Sequence, residues 1–349
     1  ASGDDGFEFF GGTVNTKYLI SAFNNDDSFD WDEGFRGKGQ FWFAIQDTDN
    51  AGRVAEMDGS SVSSEDTNPY AFPVISNATY IGPGSSNIPA GDGSGEFMLF
   101  RDNTGGEYHN SIFTAHSAIA VEVEEKGTEV DSESRLAADS LNIKNSIFFD
   151  FGAGTDFASI SSAPFVATEL GLTANVNTIS DPLIRSIDRT ASTFGLDPRF
   201  NEGSPASSGA VIPDDEFFTE VTYKGAFGVK NWMVGWTGLD ALGFINQGIV
   251  TNNEEEVTTV PSSVVLEQNY PNPFNPSTQI SFQLPSAQKV TLKVYDMLGR
   301  EVATLLNNEQ YSSGSSSVTF DATNLSSGIY LYRLTGADFT KTQRMTLIK

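Results

Sequence analysis

Short apolar runs fill the first 150 residues, and glycines and acidic turns separate them. Aromatic and β-branched residues dominate these runs and helical spacing is scarce, which favours β-strands. One block repeats: Asp4-Asp-Gly-Phe-Glu-Phe-Phe-Gly-Gly12 returns 22 residues later as Asp26-Asp-Ser-Phe-Asp-Trp-Asp-Glu-Gly34. Because short strands that recur every ~20–35 residues are typical of solenoids, we predict a right-handed parallel β-helix.

A second repeat places an asparagine before a short apolar strand, at Asn15, Asn77, Asn110 and Asn145. The last three are 33 and 35 residues apart. Side-chain amides at equal positions of stacked strands can hydrogen-bond to one another. We therefore predict that the four asparagines form an internal ladder with a structural role rather than a catalytic one.

Less regular segments interrupt and follow the predicted β-helix. Residues 59–74, 83–96 and 124–141 are rich in Ser, Gly, Pro and acidic residues, so we predict loops. Residues 183–189 are predicted to form one or two helical turns. Residues 251–260 are polar and unpatterned, which predicts a linker.

Period-two alternation returns after residue 261, for example at Ile280, Phe282 and Leu284. About seven short strands in under 100 residues predict a small all-β sandwich of the immunoglobulin-like kind. The chain is therefore all-β. We expect a β-helix domain at residues 1–250, a linker at 251–260 and a β-sandwich at 261–349.

Several motifs of the C-terminal part follow one another in a set order. They are Asn-Tyr-Pro-Asn-Pro-Phe-Asn-Pro-Ser-Thr at 269–278, Val-Tyr-Asp-Met-Leu-Gly-Arg-Glu-Val at 294–302, Gly-Ile-Tyr-Leu-Tyr-Arg-Leu at 328–334 and the ending at 342–349. Nearly end to end, this part resembles the type A C-terminal sorting domain of the bacterial type IX secretion system. The resemblance implies export across an outer membrane of the Bacteroidota–Chlorobiota kind, with the secretion machinery as a partner. The expected location is extracellular or on the outer cell surface.

A second resemblance concerns the cargo part of the chain. Some segments resemble those of large secreted β-helix proteins, which supports the fold more than any activity. They are residues 29–40, 196–200, 203–206, 217–228 and 231–237. The chain has no cysteine, so its stability must come from packing or bound ions rather than disulfides. No apolar run reaches the ~20 residues of a transmembrane helix. The first residues lack the pattern of a signal peptide, so we expect a processed or truncated product.

The negative charge is confined to the cargo part. Residues 261–349 carry seven Lys/Arg and six Asp/Glu, whereas residues 1–260 carry thirteen and forty, a net charge of −27. Nucleic acids and anionic lipids bind basic surfaces, so the composition excludes them as partners. An acidic surface fits divalent cations or simple solubility.

The densest acidic segment holds five carboxylates in eight residues: Asp26, Asp27, Asp30, Asp32 and Glu33. Carboxylates this close repel one another unless a cation offsets them. Ca²⁺ binds six to eight oxygen ligands, so we predict a calcium site here, with Asp4 and Asp5 stacked on it from the preceding coil. The alternative is a solvated acidic turn in which Arg36 and Lys38 are the local ion partners.

Signals for catalysis are few. No nucleophile elbow, phosphate loop or zinc signature is present, and His109 and His116 lack a ligand spacing. Polysaccharide lyases with a β-helix combine Ca²⁺ with an Arg or Lys base; Arg36 and Lys38 have the right type, but their spacing fits no lyase motif.

Aromatic residues leave two interpretations open, because they can stack on sugars or fill a core. The four tryptophans are Trp31, Trp42, Trp232 and Trp236. At least one residue of the segment 41–43 must point away from the β-helix interior, which suggests a binding or assembly surface.

The sequence therefore favours a non-catalytic secreted or cell-surface protein with a structural or adhesive role. This role includes self-assembly into a filament or surface layer, with a second copy or a surface polysaccharide as the partner. The alternative is a carbohydrate-active or carbohydrate-binding β-helix similar to polysaccharide lyases.

Overall fold

The computed structural model describes residues 3–60, 68–90, 95–127, 130–246, 264–311 and 314–349. The chain forms two compact units, Ala1–Val250 and Thr251–Lys349. The predicted linker at 251–260 lies outside the described residues, as do parts of the three predicted loops. None of the described helices is long and apolar enough to cross a membrane.

Most of the regular secondary structure of the first unit consists of short strands. In chain order they are β1 (Phe7–Phe10), β2 (Thr16–Lys17), β3 (Ile20–Ala22), β4 (Phe29–Asp32), β5 (Lys38–Gln40), β6 (Phe43–Ile45), β7 (Ala55–Asp58), β8 (Val74–Ser76), β9 (Thr79–Ile81), β10 (Glu96–Arg101), β11 (Gly106–His109), β12 (Ile112–His116), β13 (Ile119–Val123), β14 (Leu141–Lys144), β15 (Ile147–Phe151), β16 (Thr178–Ile179), β17 (Ile184–Ile187) and β18 (Leu196–Phe200). Its helices are α1 (Ser132–Ala137), α2 (Pro164–Leu170) and α3 (Gly238–Ala241), with a 3₁₀ turn at Pro205–Ser207. Helix α1 falls within one of the predicted loops.

The first fifteen strands form a parallel β-helix of five coils, each of which gives one strand to each of three sheets. Sheet 1 has the order β1-β4-β7-β10-β13, sheet 2 the order β2-β5-β8-β11-β14, and sheet 3 the order β3-β6-β9-β12-β15-β16. The 22-residue repeat is one coil, because Phe7 lies opposite Phe29 and Phe9 opposite Trp31. The predicted parallel β-helix is confirmed.

The corner between sheets 2 and 3 holds the asparagine ladder. Asn77, Asn110 and Asn145 occupy it with left-handed φ angles of 56°, 52° and 53°, which asparagine tolerates better than most residues. Asn145 Nδ2 donates to Asn110 Oδ1 at 2.8 Å, and Asn110 Nδ2 donates to Ser76 Oγ at 3.1 Å. The predicted amide–amide hydrogen bond is thus present between Asn145 and Asn110, whereas Asn110 is linked to Asn77 through Ser76, whose Oγ donates to Asn77 Oδ1 at 2.9 Å. We call these three asparagines the ladder.

Asn15 was wrongly included in the ladder. It precedes β2 instead of following it, and its Oδ1 accepts the Lys38 backbone N–H at 3.0 Å. In the first two coils the corner residues are Tyr18 and Phe41, whose rings stack at 5.0 Å. Aromatic stacking therefore replaces amide hydrogen bonding at this end of the corner.

Residues 181–246, which we call the strap, run back along the coils. The carbonyls of Gly209, Val211 and Tyr223 accept hydrogen bonds from Asn145, Asn110 and Asn77 in turn. The ladder therefore fastens the strap to the β-helix as well as joining one coil to the next.

The strap also covers the outer surface of sheet 3. Phe43 and Ile81 pack there against Phe227 and Met233 of the strap. Residues 41–43 are consequently buried, so the outward aromatics form an internal interface rather than the exposed surface that the sequence suggested.

The segment of the strap that was predicted to form helical turns is a strand instead. Residues 184–187, predicted as helical, form β17, which pairs antiparallel with β18. Ile184 and Ile187 pack on the covered face of sheet 3.

The two ends of the β-helix differ. Helix α2 closes the core after the last coil with Val166 and Leu170. At the first coil, Phe7 is only partly buried.

The second unit is an antiparallel β-sandwich, as predicted. Its strands are β19 (Val265–Leu266), β20 (Ser277–Leu284), β21 (Gln288–Asp296), β22 (Glu301–Tyr311), β23 (Gly314–Asp321), β24 (Gly328–Thr335) and β25 (Thr340–Leu347). A three-stranded sheet, β19-β20-β23, and a four-stranded sheet, β22-β21-β24-β25, share one core that contains Ile280, Phe282 and Leu292.

Candidate cation site

The outer surface of sheet 1 carries a row of acidic residues. Alternation turns Phe29 and Trp31 inward and Asp30 outward, and the coil repeat places equivalent residues side by side. Glu8 lies opposite Asp30, and Asp30 lies opposite Glu56. On β10 the row is interrupted by Leu99, which lies opposite Glu56, and on β13 it ends with Glu122, which lies opposite Leu99.

Two groups of carboxylates meet at the first two coils. Oxygens of Asp5, Glu8 and Asp30 lie within 4.8 Å of one another, and so do those of Asp4, Asp5 and Asp26. We call these five residues the acidic cluster. Asp30 Oδ1 is buried and has no hydrogen-bond partner among the described residues. Across the described ranges of the chain, no Lys or Arg forms an ion pair with Asp5, Glu8 or Asp30.

The next two coils differ, because arginines neutralise their carboxylates. Arg53 contacts Glu56 at 3.0 Å and Glu96 at 2.5 Å. Arg101 contacts Asp58 at 2.7 Å and Glu56 at 3.2 Å. The uncompensated charge of sheet 1 is therefore concentrated on the first two coils, where a bound cation would have the largest effect.

Burial and mutual repulsion raise the pKa values of Asp5, Glu8 and Asp30. The pKa of Asp30 rises to about 8, first through burial and then through the charges of Asp58 and Asp5. The pKa of Asp5 rises to about 6, mainly through burial. The native state thus holds protons that the unfolded chain has lost above pH ~4. These retained protons contribute stability that is complete below the unfolded pKa of about 4. The contribution is lost as the pH rises through about 6 for Asp5 and about 8 for Asp30.

The other predicted ligands are not members of the acidic cluster, although the backbone N–H of Asp27 donates to Asp5 Oδ1 at 3.0 Å. Asp27 is buried and its Oδ1 accepts the Arg53 backbone N–H at 2.5 Å; burial, followed by the charge of Glu56, raises its pKa. Asp32 and Glu33 lie at the far end of β4, where Asp32 Oδ1 accepts the Glu33 backbone N–H at 2.5 Å.

The cations predicted as local partners of the acidic turn have other contacts. Arg36 donates to the Tyr70 carbonyl at 2.9 Å, and Lys38 pairs with Asp215 of the strap.

Sequence reasoning missed Glu8 as a member of the acidic cluster. The signal was present, since Glu8 precedes Asp30 by the 22 residues of the repeat.

The two histidines belong to other parts of the fold. His109 Nε2 lies 2.7 Å from Glu107 Oε2. His116 is buried against Phe97, and its ring nitrogens have no partner among the described residues. Burial lowers the pKa of His116 to about 4. The neutral His116 ring therefore contributes stability that is present above the unfolded pKa of ~6.5 and is lost as the pH falls through about 4.

Two tryptophans are buried in the β-helix and two lie in the strap, where Trp232 is partly buried. Trp31 and Trp42 are fully buried in the β-helix core. Trp232 and Trp236 of the strap stack at 6.2 Å, and Trp236 is 46% exposed. Trp236 therefore presents an aromatic surface to solvent, as does Phe194 of the strap, which is 48% exposed.

A pocket of about 430 Å³ lies at the start of α2. Its lining consists of small or uncharged side chains: Ala158, Ser161, Ser162, Ala163, Pro164, Ala167 and Thr168. It offers no titratable group for acid–base chemistry, so the acidic cluster remains the stronger candidate site.

The fold and the site define a class of exported all-β proteins in which a parallel β-helix is followed by a β-sandwich. The chain belongs to the family described as the pectate-lyase-like β-helix domain, which matches residues 1–180, about half of its length. Residues 268–349 match the secretion system C-terminal sorting domain. No curated protein matches the chain.

The sorting domain determines where the protein functions. It directs export to the extracellular space or the cell surface, with the type IX secretion machinery as the partner in that step. The acidic cluster thus belongs to a protein exposed to the extracellular medium.

Proposed function

We propose that the protein is a non-catalytic, calcium-stabilised component of the cell surface or its surroundings, with a structural or adhesive role. The acidic cluster carries this proposal. Ca²⁺ prefers several carboxylate oxygens, and Asp5 joins two groups of three carboxylates within 4.8 Å. A bound ion would stabilise the ionised carboxylates of a chain that has no disulfides.

The arginines of sheet 1 support a role without catalysis. Burial alone would lower the pKa of Arg53, but its hydrogen bond to Glu96 and the charge of Glu56 raise it. The hydrogen bond to Asp58 likewise raises the pKa of Arg101. An arginine that acts as a general base must lose a proton, so raised pKa values oppose this role.

The two ends of the β-helix bear on self-assembly. Helix α2 covers the core beyond the last coil, which opposes head-to-tail stacking into a filament. Phe7 and Phe9 of the first coil are partly exposed. Self-association, as part of the structural role, would therefore not use the end that α2 covers.

Carbohydrate binding is a second candidate function, and the exposed Trp236 favours it. Its ring stacks on Trp232, and its indole N–H donates to the Trp232 carbonyl at 2.5 Å. These contacts fix the ring before any ligand arrives. A flat, fixed aromatic surface suits the apolar face of a sugar.

We expect the purified full chain to leave acidic polysaccharides uncleaved in the presence of Ca²⁺. The measurement is the release of unsaturated or reducing ends over time. Cleavage that disappears in Arg101→Lys would establish a lyase and contradict the proposal.

For carbohydrate binding, the second candidate function, Trp236→Ala should abolish retention on a polysaccharide column. Leu242→Ala, which removes another exposed apolar residue of the strap, should not.

A further inference from the structure

Three segments of the sandwich meet at one end of its four-stranded sheet. Asp296 of β21 lies opposite Tyr330 of β24, and Ile329 of β24 lies opposite Thr346 of β25. The turn after β21, the start of β24 and the residue after β25 therefore share this end. Sequence order alone does not reveal this, because the three segments are separated by about 30 and 20 residues.

Each of these segments exposes a large apolar side chain. Met297 and Leu298 are 61% and 80% exposed, and Ile329 and Ile348 are 41% and 53% exposed. We call these four residues the apolar end. Tyr330 and Leu347 point into the core, so alternation turns Ile329 and Ile348 to the outer face of the sheet. Single exposed apolar residues are common, but a group of them is typical of a binding surface.

The turn that presents Met297 and Leu298 is held in one conformation. Asp296 Oδ1 accepts the backbone N–H groups of Leu298 and Arg300, both at 2.9 Å. Asp296 Oδ2 accepts from Arg300 Nε at 2.7 Å. Binding would therefore cost little conformational entropy, which favours a pre-formed recognition element.

The charge around the apolar end indicates the chemistry of the partner. Arg333 and Arg344 lie on the same outer face, and the Arg333 guanidinium lies 5.0 Å from the centre of the Tyr295 ring. A complementary surface would be an apolar recess rimmed by carboxylates. Such a surface would repel the cargo part of the chain, which carries a net charge of −27.

We propose that the apolar end is the surface of the sorting domain that a protein of the type IX machinery binds during export. The domain match makes this machinery the partner, and the combination of apolar side chains with a basic surround is the feature it would distinguish from the acidic cargo. The inference does not depend on calcium or on the role of the β-helix.

The test uses the full chain expressed in a bacterium that has a type IX system. The double variant Met297→Ser with Leu298→Ser should lower the exported fraction by about tenfold or more, with folded protein retained in the periplasm. Its melting temperature should stay that of the wild type, because exposed substitutions have little effect on folding. The apolar swap Met297→Leu with Leu298→Met should be exported normally. Val265→Ser, a matched control in the three-stranded sheet, should be too.

Several outcomes would overturn this assignment. They are normal export of the double serine variant, retention that occurs only with a lower melting temperature, equal loss of export in Val265→Ser, and retention of the apolar swap. Wild-type protein that reaches the medium in a strain lacking the secretion system would instead contradict the export route itself, so the two failures are distinguishable.

Discussion

A chain that ends before residue 328 should accumulate in the periplasm. The truncation removes β24 and β25, which supply Tyr332, Leu334, Met345 and Leu347 to the core of the sandwich. Loss of one buried Leu or Met side chain costs about 2–5 kcal/mol, and a whole domain is stable by only about 5–15 kcal/mol. The sorting domain should therefore unfold, and β21 would be left as an unpaired edge.

Fractionation of cells that express the truncated and the complete chain measures this effect. The complete chain should appear outside the cell or on its surface, and the truncated chain should be found in the periplasm or be degraded there. Met345→Leu, which keeps an apolar residue of similar volume, is the matched control and should be exported. Normal surface delivery of the truncated chain would show that the sandwich is not the export signal.

Asn110→Ala should destabilise the β-helix more than any single surface substitution. The change removes the hydrogen bonds of Asn110 with Asn145 and with the backbone N–H and C=O of Val211, the last two at 2.8 and 2.9 Å. Each buried polar group left without a partner costs about 1–3 kcal/mol, and alanine at a φ of 52° adds strain. The melting temperature should fall by about 10 °C.

Asn15→Ala is the matched control, because Asn15 lies outside the ladder and accepts one exposed hydrogen bond. Its melting curve should stay close to that of the wild type. Thermal unfolding followed by circular dichroism compares the two variants. Equal melting temperatures for both would mean that the ladder does not hold the strap.

Local repetition made the β-helix predictable. The 22-residue repeat encodes the pairing of Phe7 with Phe29, and an asparagine at a left-handed corner leaves a recognisable residue type. The strap leaves no such signal. It contacts the ladder through backbone carbonyls such as that of Gly209, and any residue provides a carbonyl. Its position could not be inferred from side chains.

The site was predicted in part for a related reason. Sequence proximity grouped Asp30 with Asp32 and Glu33. Asp32 shares the outer face with Asp30 but lies two residues further along the extended strand, and Glu33 follows the end of that strand. Contacts between coils brought in Glu8, beside Asp4 and Asp5, which the repeat had already placed next to the predicted site. A repeat of known period identifies such neighbours only after the residues that start each coil are known.

The calcium dependence of the melting temperature at pH 8 tests the central proposal most directly. With chelator, about half of the Asp30 carboxyls are ionised at this pH, whereas at pH 6 Asp30 is mostly protonated. The acidic cluster therefore repels itself more at pH 8, and the protein should melt lower than at pH 6. Ca²⁺ at about 100 times its dissociation constant should add about 2.7 kcal/mol, a rise of roughly 5–10 °C. Asp26→Asn with Asp30→Asn should remove this rise, whereas Glu202→Gln, an exposed control in the strap, should keep it. Identical curves with calcium and with chelator would contradict a bound ion.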